Sequence, residues 1–147
     1  MDDSQLKDLE RKKRYLKRYK KNLALIERLE NKLADLNERI YKIKSPSFSA
    51  MPKGSNPVDL SDLISDKDEL EARIKRLRKK GKTLKAETLE IIDELDDVRY
   101  AEILESFFID CKSFEEISED MGYTTRWIIK VYSEAISKIS IKTLNVQ

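Results

Sequence analysis

Apolar residues recur at helical spacing along most of this chain, and the pattern predicts helices without strands. Between about Gln5 and Lys44 the apolar positions are Leu16, Tyr19, Leu23, Ile26, Leu29, Leu33, Leu36, Ile40 and Ile43. From Ile26 onward they alternate steps of three and four, the spacing of a coiled-coil seam. Ser45 to Pro57 then holds all three prolines and a glycine. Proline removes a backbone donor and clashes with the preceding turn, so a loop is expected over residues 45–57. A second helix is predicted from near Asp59, carrying Leu63, Leu70, Leu77, Leu84, Ile91 and Val98 at seven-residue intervals, with Ile74 and Leu95 between them. Ser65-x-x-Asp68 resembles a capping box and is expected to restart this helix after a ragged first turn. Two long amphipathic helices around one breaker predict an antiparallel coiled-coil hairpin, on the order of 50 Å long at 1.5 Å per residue. Gly81 and Thr88 fall on its seam. Glycine there should weaken the helix by about 1 kcal/mol relative to alanine, and the seam is left with holes open to a partner chain's side chain. A hairpin cannot cover both apolar faces alone, so either the C-terminal residues pack onto it or two copies associate, with a homodimer expected.

The last third is patterned differently. Ile103, Leu104, Phe107 and Phe108 give a first short helix its apolar face, and Asp110, Cys111 and Lys112 interrupt it. Ser113-x-x-Glu116 is a capping box opening a second helix, whose core face is Phe114, Ile117 and Met121. Gly122 permits a left-handed turn, and Thr124 is the N-cap of a third helix. At 3.6 residues per turn, Ile128, Val131, Tyr132, Ala135 and Ile139 form one stripe, while Arg126, Lys130 and Ser133 point the other way with Trp127 and Ile129 on the flanks. Helix, glycine turn and helix of this build predict a helix-turn-helix. The expected fold is therefore all-α: a hairpin over residues 1–98 and a helix-turn-helix domain over residues 99–147.

Composition narrows the function. There is no histidine, Cys111 stands alone, and the three glycines never cluster. Zinc sites, Ser-His or Cys-His nucleophile pairs and phosphate-cradling loops all lack their parts, so no enzyme, metal or cofactor is expected. Cys111 is expected to be a small buried apolar residue rather than a redox thiol. One cysteine excludes an intrachain disulfide and fits a reducing cytoplasm. No apolar run approaches a bilayer span, and MDDSQLKDLE is not built as a signal peptide, so a cytoplasmic protein without membrane contact is expected.

Net charge is only +2 in a chain that is 39% charged, yet the charges are segregated. Residues 11–21 and 73–85 are basic, and residues 87–97 and 115–120 are acidic. Two readings stand. If the chain reverses near Met51, residues 11–21 lie beside residues 81–91, and Lys and Arg of the first helix meet Glu87, Glu90 and Asp93, setting register; Arg73 to Lys85 gains no such neighbour. Alternatively the basic runs meet a polyanion. Tyr15 and Tyr19 fit seam packing or base stacking.

On a recognition helix the outward residues have definite chemistry. Arg126 can donate two parallel hydrogen bonds to guanine, Lys130 can hold a base or phosphate, and Ile129 can touch a thymine methyl. Thr124 and Thr125 can donate to phosphate at the helix N-terminus. Trp127 and Ser133 complete the candidate DNA surface, and Lys112, Ser113, Lys12, Lys13, Arg14 and Lys17 are candidate phosphate contacts. Against this, residues 100–147 hold five basic side chains (Lys112, Arg126, Lys130, Lys138, Lys142) and eight acidic ones (Glu102, Glu105, Asp110, Glu115, Glu116, Glu119, Asp120, Glu134). A protein-docking module that reads no DNA is the rival reading.

The run from Val98 through Ile139 resembles region four of bacterial sigma factors, where such a helix-turn-helix reads an upstream promoter element. Phe114-Glu115-Glu116-Ile117-Ser118 matches that family's scaffold helix, and Met121-Gly122-Tyr123-Thr124 its turn. The whole chain resembles small proteins of phages and mobile elements of Gram-positive bacteria, kin of ArpU-like late-gene regulators, in which a helical first half, a loop like Pro46 to Gly54 and a Tyr100-type entry occur in this order. The resemblance implies a transcription regulator of the host bacterial cytoplasm that binds double-stranded DNA, with RNA polymerase as a further partner. Members usually carry more basic residues than Thr125, Trp127, Ile129 and Glu134 in the third helix, and often an arginine where Ser106 stands; the basic hairpin is expected to supply the missing backbone contacts. A small terminase-like packaging subunit shares these parts but usually in the opposite order.

Overall fold

A computed structural model describes residues 2–45 and 60–141. Among them all regular structure is helical: α1 (Asp3–Leu16), α2 (Arg18–Lys44), α3 (Leu60–Asp93), α4 (Val98–Phe108), α5 (Phe114–Met121) and α6 (Thr125–Lys138). The expected loop over residues 45–57, the reversal near Met51 and a start at Asp59 lie almost wholly outside the described residues.

The first long helix is two helices. α1 opens two residues earlier than expected, on a capping box in which Asp2 accepts from the Gln5 amide at 2.8 Å and Gln5 accepts from the Asp2 amide at 3.2 Å. It ends at Leu16 because Arg18 turns back on it: its Nε donates to the Tyr15 carbonyl at 3.0 Å and its guanidinium sits 3.7 Å from the Tyr15 ring centre. Lys17 nevertheless keeps ladder bonds on both sides, to Lys13 and from Lys21.

Two compact units emerge, and α2 and α3 contribute to both. One runs from Leu23 to Lys80. Here Ile26, Leu29 and Ile74 are buried, with Leu25, Leu33, Leu70 and Leu77 packed around them. The helices run antiparallel: Arg78 pairs with Glu30, and Lys32, Asp35, Leu36 and Arg39 line a depression with Asp66, Glu69, Leu70 and Arg73. The Arg78 pair gives the basic run 73–85 an acidic neighbour that the sequence did not anticipate. Nor does α3 restart at Ser65. Its ladder runs unbroken from Leu60, and both Ser65 and Asp68 are exposed on it.

The other unit joins the residues up to Asn22 with those from Gly81 onward. α4, α5 and α6 enclose Ile103, Leu104, Phe108, Ile117, Ile128, Val131, Tyr132, Ala135, Ile136 and Ile139, and Leu16 and Ile92 enter the same core. α4 starts at Val98, and the compact unit that holds it reaches back to Gly81 and includes α1. Of the two ways to cover the long helices, packing by C-terminal residues is thus realised within one chain for their outer ends. Phe107, Phe108, Phe114 and Tyr132 interlock, with ring centres 4.7–5.8 Å apart, a geometry that rewards edge-to-face and offset contacts. Burial, with a smaller push from Glu10, raises the Tyr132 phenol to about 12.

α2 and α3 are antiparallel in this unit too: Arg18 pairs with Glu87 at 2.9 Å, as the register reading expects, whereas Glu90 and Asp93 take no ion pair among the described residues. Gly81 is no open hole. A Cβ built there would lie 2.7 Å from Asn22 Nδ2, so the amide of the facing helix fills the gap. Thr88 is fully buried and donates to the Leu84 carbonyl at 2.8 Å. The buried positions Gly81, Leu84, Thr88 and Ile92 are spaced by three, four and four, an eleven-residue period close to that of a straight helix, so the seam drifts off the seven-residue pattern and Ile92 rather than Ile91 is fully buried. α3 then stops at Asp93, and Val98, expected on the seam, opens α4 at 76% exposure.

Candidate nucleic-acid interface

The local chemistry of the turn places α6. At the start of α5 the Ser113 hydroxyl accepts from the Glu116 amide at 3.1 Å and the Glu116 carboxylate accepts from the Ser113 amide at 3.0 Å. Hydrogen bonding from the Ser113 amide, and next from the Ser113 side chain, holds the Glu116 carboxyl below its usual range. α5 ends at Gly122 with φ +76°, and the Gly122 amide donates to Ser118 at 2.9 Å. Only glycine enters that region without a steric penalty. The Ser118 hydroxyl donates to the Tyr123 carbonyl, closing the turn. Thr124 caps α6, its hydroxyl accepting from the Trp127 amide at 3.1 Å, which leaves its O–H proton free for a further acceptor.

The expected stripe of Ile128, Val131, Tyr132, Ala135 and Ile139 is buried, as is Ile136. Arg126 and Lys130 are exposed on the opposite side, and Ser133 is half-buried. Ile129 is 44% exposed, and Thr125 and Trp127 are half-buried. Arg126, Ile129, Lys130 and Ser133 thus share one side of a single helix whose back is fixed in the core, with Thr124, Thr125 and Trp127 at its N-terminal end.

Trp127 is held from two sides. The Tyr123 ring stacks on it with centres 3.9 Å apart and planes 25° off parallel, and the Arg99 guanidinium lies 5.9 Å from its centre. Arg99 also pairs with Asp97, the N-cap of α4, at 3.3 Å. Arg99 was not singled out in the sequence, and Tyr123 only as part of the turn; the four-residue spacing of Tyr123 and Trp127 was the visible signal, obscured because a helix cap lies between them.

The candidate phosphate contacts divide. Lys112 is half-buried and bonded to Asp120 at 2.6 Å, which raises its pKa and leaves it partly spent. Lys12 pairs with Asp8 at 3.3 Å and donates to the Ser137 carbonyl at 3.3 Å, and Lys13 pairs with Glu10 at 3.6 Å. Arg14 and Lys17 are exposed. Tyr19 packs on the core, and Tyr15 lies under Arg18.

Cys111 is the clear departure. It is exposed, with φ +57°, because α4 unwinds through a left-handed residue there and the Lys112 amide reaches back to Ser106 at 3.0 Å. The acids of this unit are partly engaged. Glu116 is used in the capping box, Asp120 on Lys112, and Glu134 accepts from the Tyr100 hydroxyl at 3.2 Å. No acid lies among Arg126, Ile129, Lys130 and Ser133.

No helix among the described residues is long and apolar enough to cross a membrane, and no group of three or more metal-ligating side chains is found among them. Comparison with protein-family models, curated proteins and solved structures gives no match.

Proposed function

We propose that this chain is a non-enzymatic, sequence-specific DNA-binding transcription regulator that reads the major groove with α6. One observation carries the reading: α6 is capped, locked behind a left-handed glycine turn, and carries Arg126 and Lys130 exposed on the side away from its buried stripe, while Glu134, one turn beyond Lys130, is engaged by the Tyr100 hydroxyl. A recognition helix needs that arrangement, because hydrogen bonds to base edges discriminate only when the donors are held in register with the groove. Arg126 would contact a guanine edge, Lys130 a base or phosphate, Thr124 and Thr125 the phosphates nearest the helix start, and Ile129 a thymine methyl. The protein would act as a dimer through its long helices, giving paired half-sites, in the manner of the phage and mobile-element regulators it resembles, with RNA polymerase as a further partner.

A second reading is favoured by Ile129 and Tyr123, 44% and 42% exposed beside the Trp127 stack. In it the same face docks a protein and reads no DNA. Selection from a pool of random duplexes at two salt concentrations separates them. The DNA reading expects one enriched site, lost in an Arg126→Ala, Lys130→Ala variant, with half-site spacing that reports a dimer. No enrichment, or weak binding that salt removes equally from both proteins, overturns it in favour of docking.

A further inference from the structure

The basic run of α1 and the start of α2 is sorted by the fold into two sets. Lys12, Lys13, Arg18 and Lys20 are engaged: with Asp8, with Glu10, with Glu87, and over the Phe107 ring at 3.9 Å. Lys7, Arg11, Arg14, Lys17 and Lys21 are exposed, and none of them takes an ion pair among the described residues.

That division follows helix geometry. The second set is spaced by steps of four, three, three and four, which at 100° per residue confines it to an arc of roughly 120°. Leu9, Lys12 and Leu16 lie on the opposite side, where Leu9 and Leu16 join the core and Lys12 reaches Ser137. The ladder bonds on both sides of Lys17 carry the face across the break between α1 and α2. The only acids between Lys7 and Lys21 are Asp8 and Glu10, and both are taken by lysines of the first set. The result is a cationic row about 21 Å long at 1.5 Å per residue, in which Glu10, paired with Lys13, is the one acid within its arc.

Burial of apolar surface does not require such a row, and mutual repulsion of five like charges opposes it. The stripe has no aromatic side chain on it and no cleft, so it offers nothing to single bases or to a peptide's side chains. It fits a regular, extended array of negative charge, and duplex DNA carries one phosphate charge per 1.7 Å or so of axis. We propose that Lys7, Arg11, Arg14, Lys17 and Lys21 form a second DNA contact, a sequence-independent clamp on the phosphate backbone. This rests on the reading of α6 as a DNA reader and deepens it: the acidic C-terminal helices supply selectivity and α1 supplies affinity. The clamp also reassigns the sequence-level candidates, keeping Arg14 and Lys17, dropping Lys12 and Lys13, and adding Lys7, Arg11 and Lys21.

The test is the salt dependence of full-length protein binding to two duplexes, one enriched by selection and one scrambled. Each phosphate neutralised contributes about −0.9 to the slope of log K against log salt, so five contacts contribute about −4.5. A Lys7→Gln, Arg11→Gln, Arg14→Gln, Lys17→Gln, Lys21→Gln variant should lose most of that slope and bind both duplexes more weakly by the same factor, keeping its preference between them. A Lys12→Gln, Lys13→Gln variant should keep the wild-type slope, which separates the face from net charge. Glutamine is a good helix former and the five residues are exposed, so circular dichroism should be unchanged. An unchanged slope in the five-site variant overturns the clamp, even if α6 reads DNA. Equal wild-type affinity for both duplexes, with the slope still lost in the five-site variant, overturns the reading of α6 and leaves the clamp standing. Parallel loss of slope in the Lys12, Lys13 variant overturns the assignment to one face.

Discussion

The C-terminal core and the middle of the long helices solve the same problem unequally. Around α4, α5 and α6, side chains close on each other from three helices and from α1, and Phe108, Leu104, Ile117 and Ile128 are almost wholly shielded from water. Among the described residues between Leu23 and Lys80 one helix faces one other, so Ile26, Leu29 and Ile74 are buried while Leu25, Leu33, Leu70 and Leu77 remain partly wet. The contrast shows where geometry is over-determined. A surface that must hold Arg126 and Lys130 in register belongs on the first kind of core, whereas the second kind tolerates bending, slippage and the approach of another chain.

Breaking the contrast should be hardest at its densest point. Phe108→Ala removes a ring packed on Phe107 and Tyr132, and is expected to cost about 3–5 kcal/mol, a fall in melting temperature of about 10 °C. Ile74→Ala should cost about 2 kcal/mol, because its half-exposed neighbours can collapse into the space. Thermal denaturation measures both, and equal losses would dissolve the contrast. Amide exchange should report the same order, with residues 26–40 and 63–77 opening before the middle of α6.

Next in size is Gly122→Ala. A Cβ there meets nothing within 4 Å, so the cost is conformational only, about 1 kcal/mol for an alanine held at φ +76°. The loss should be seen in denaturant titration and as weaker DNA binding in proportion to the disturbed turn.

The effect of Gly81→Ala depends on the side chain that faces it. In the wild-type chain the new methyl meets the buried Asn22 amide at 2.7 Å, and the clash should cancel or exceed the helix-propensity gain of about 1 kcal/mol. Combined with Asn22→Ala, the same substitution should stabilise relative to Asn22→Ala alone. Additive effects of the two changes would mean that they do not touch.

The smallest effect concerns acid. Glu116 has a lowered pKa in the folded chain, so its share of stability is present above its ordinary value near 4.5 and is lost as pH falls through the lower folded value. A titration followed at the Ser113 amide should show this transition, and Glu116→Gln should abolish it while keeping an acceptor for that amide.

How far these features were legible follows from how local their causes are. The Ser113–Glu116 capping box, the turn at Gly122 and the Thr124 cap were readable because each is decided within a few residues by backbone hydrogen bonding. The stripe from Ile128 to Ile139 was readable because one helix period determines it. Cys111 was misjudged because its exposure comes from how α4 unwinds, which composition does not encode. The Asn22–Gly81 fit joins residues far apart in sequence, and Val98 left the seam because α3 stops at Asp93. The break at Lys17 depends on Arg18 choosing Tyr15 and Glu87, and the entry of α1 into the C-terminal core depends on shapes that exist only after folding. Among the candidate site residues, those on α6 could be placed from periodicity, whereas the sorting of the basic run into paired and unpaired sets needed the partners' positions.

Whether α6 is the DNA-reading surface is decided by amide chemical-shift mapping of the labelled protein with a selected duplex. The largest shifts are expected over residues 124–133, with little change around Ile26, Leu29 and Ile74. Shifts absent from α6, or concentrated on the acidic face of α5, would contradict that reading of α6.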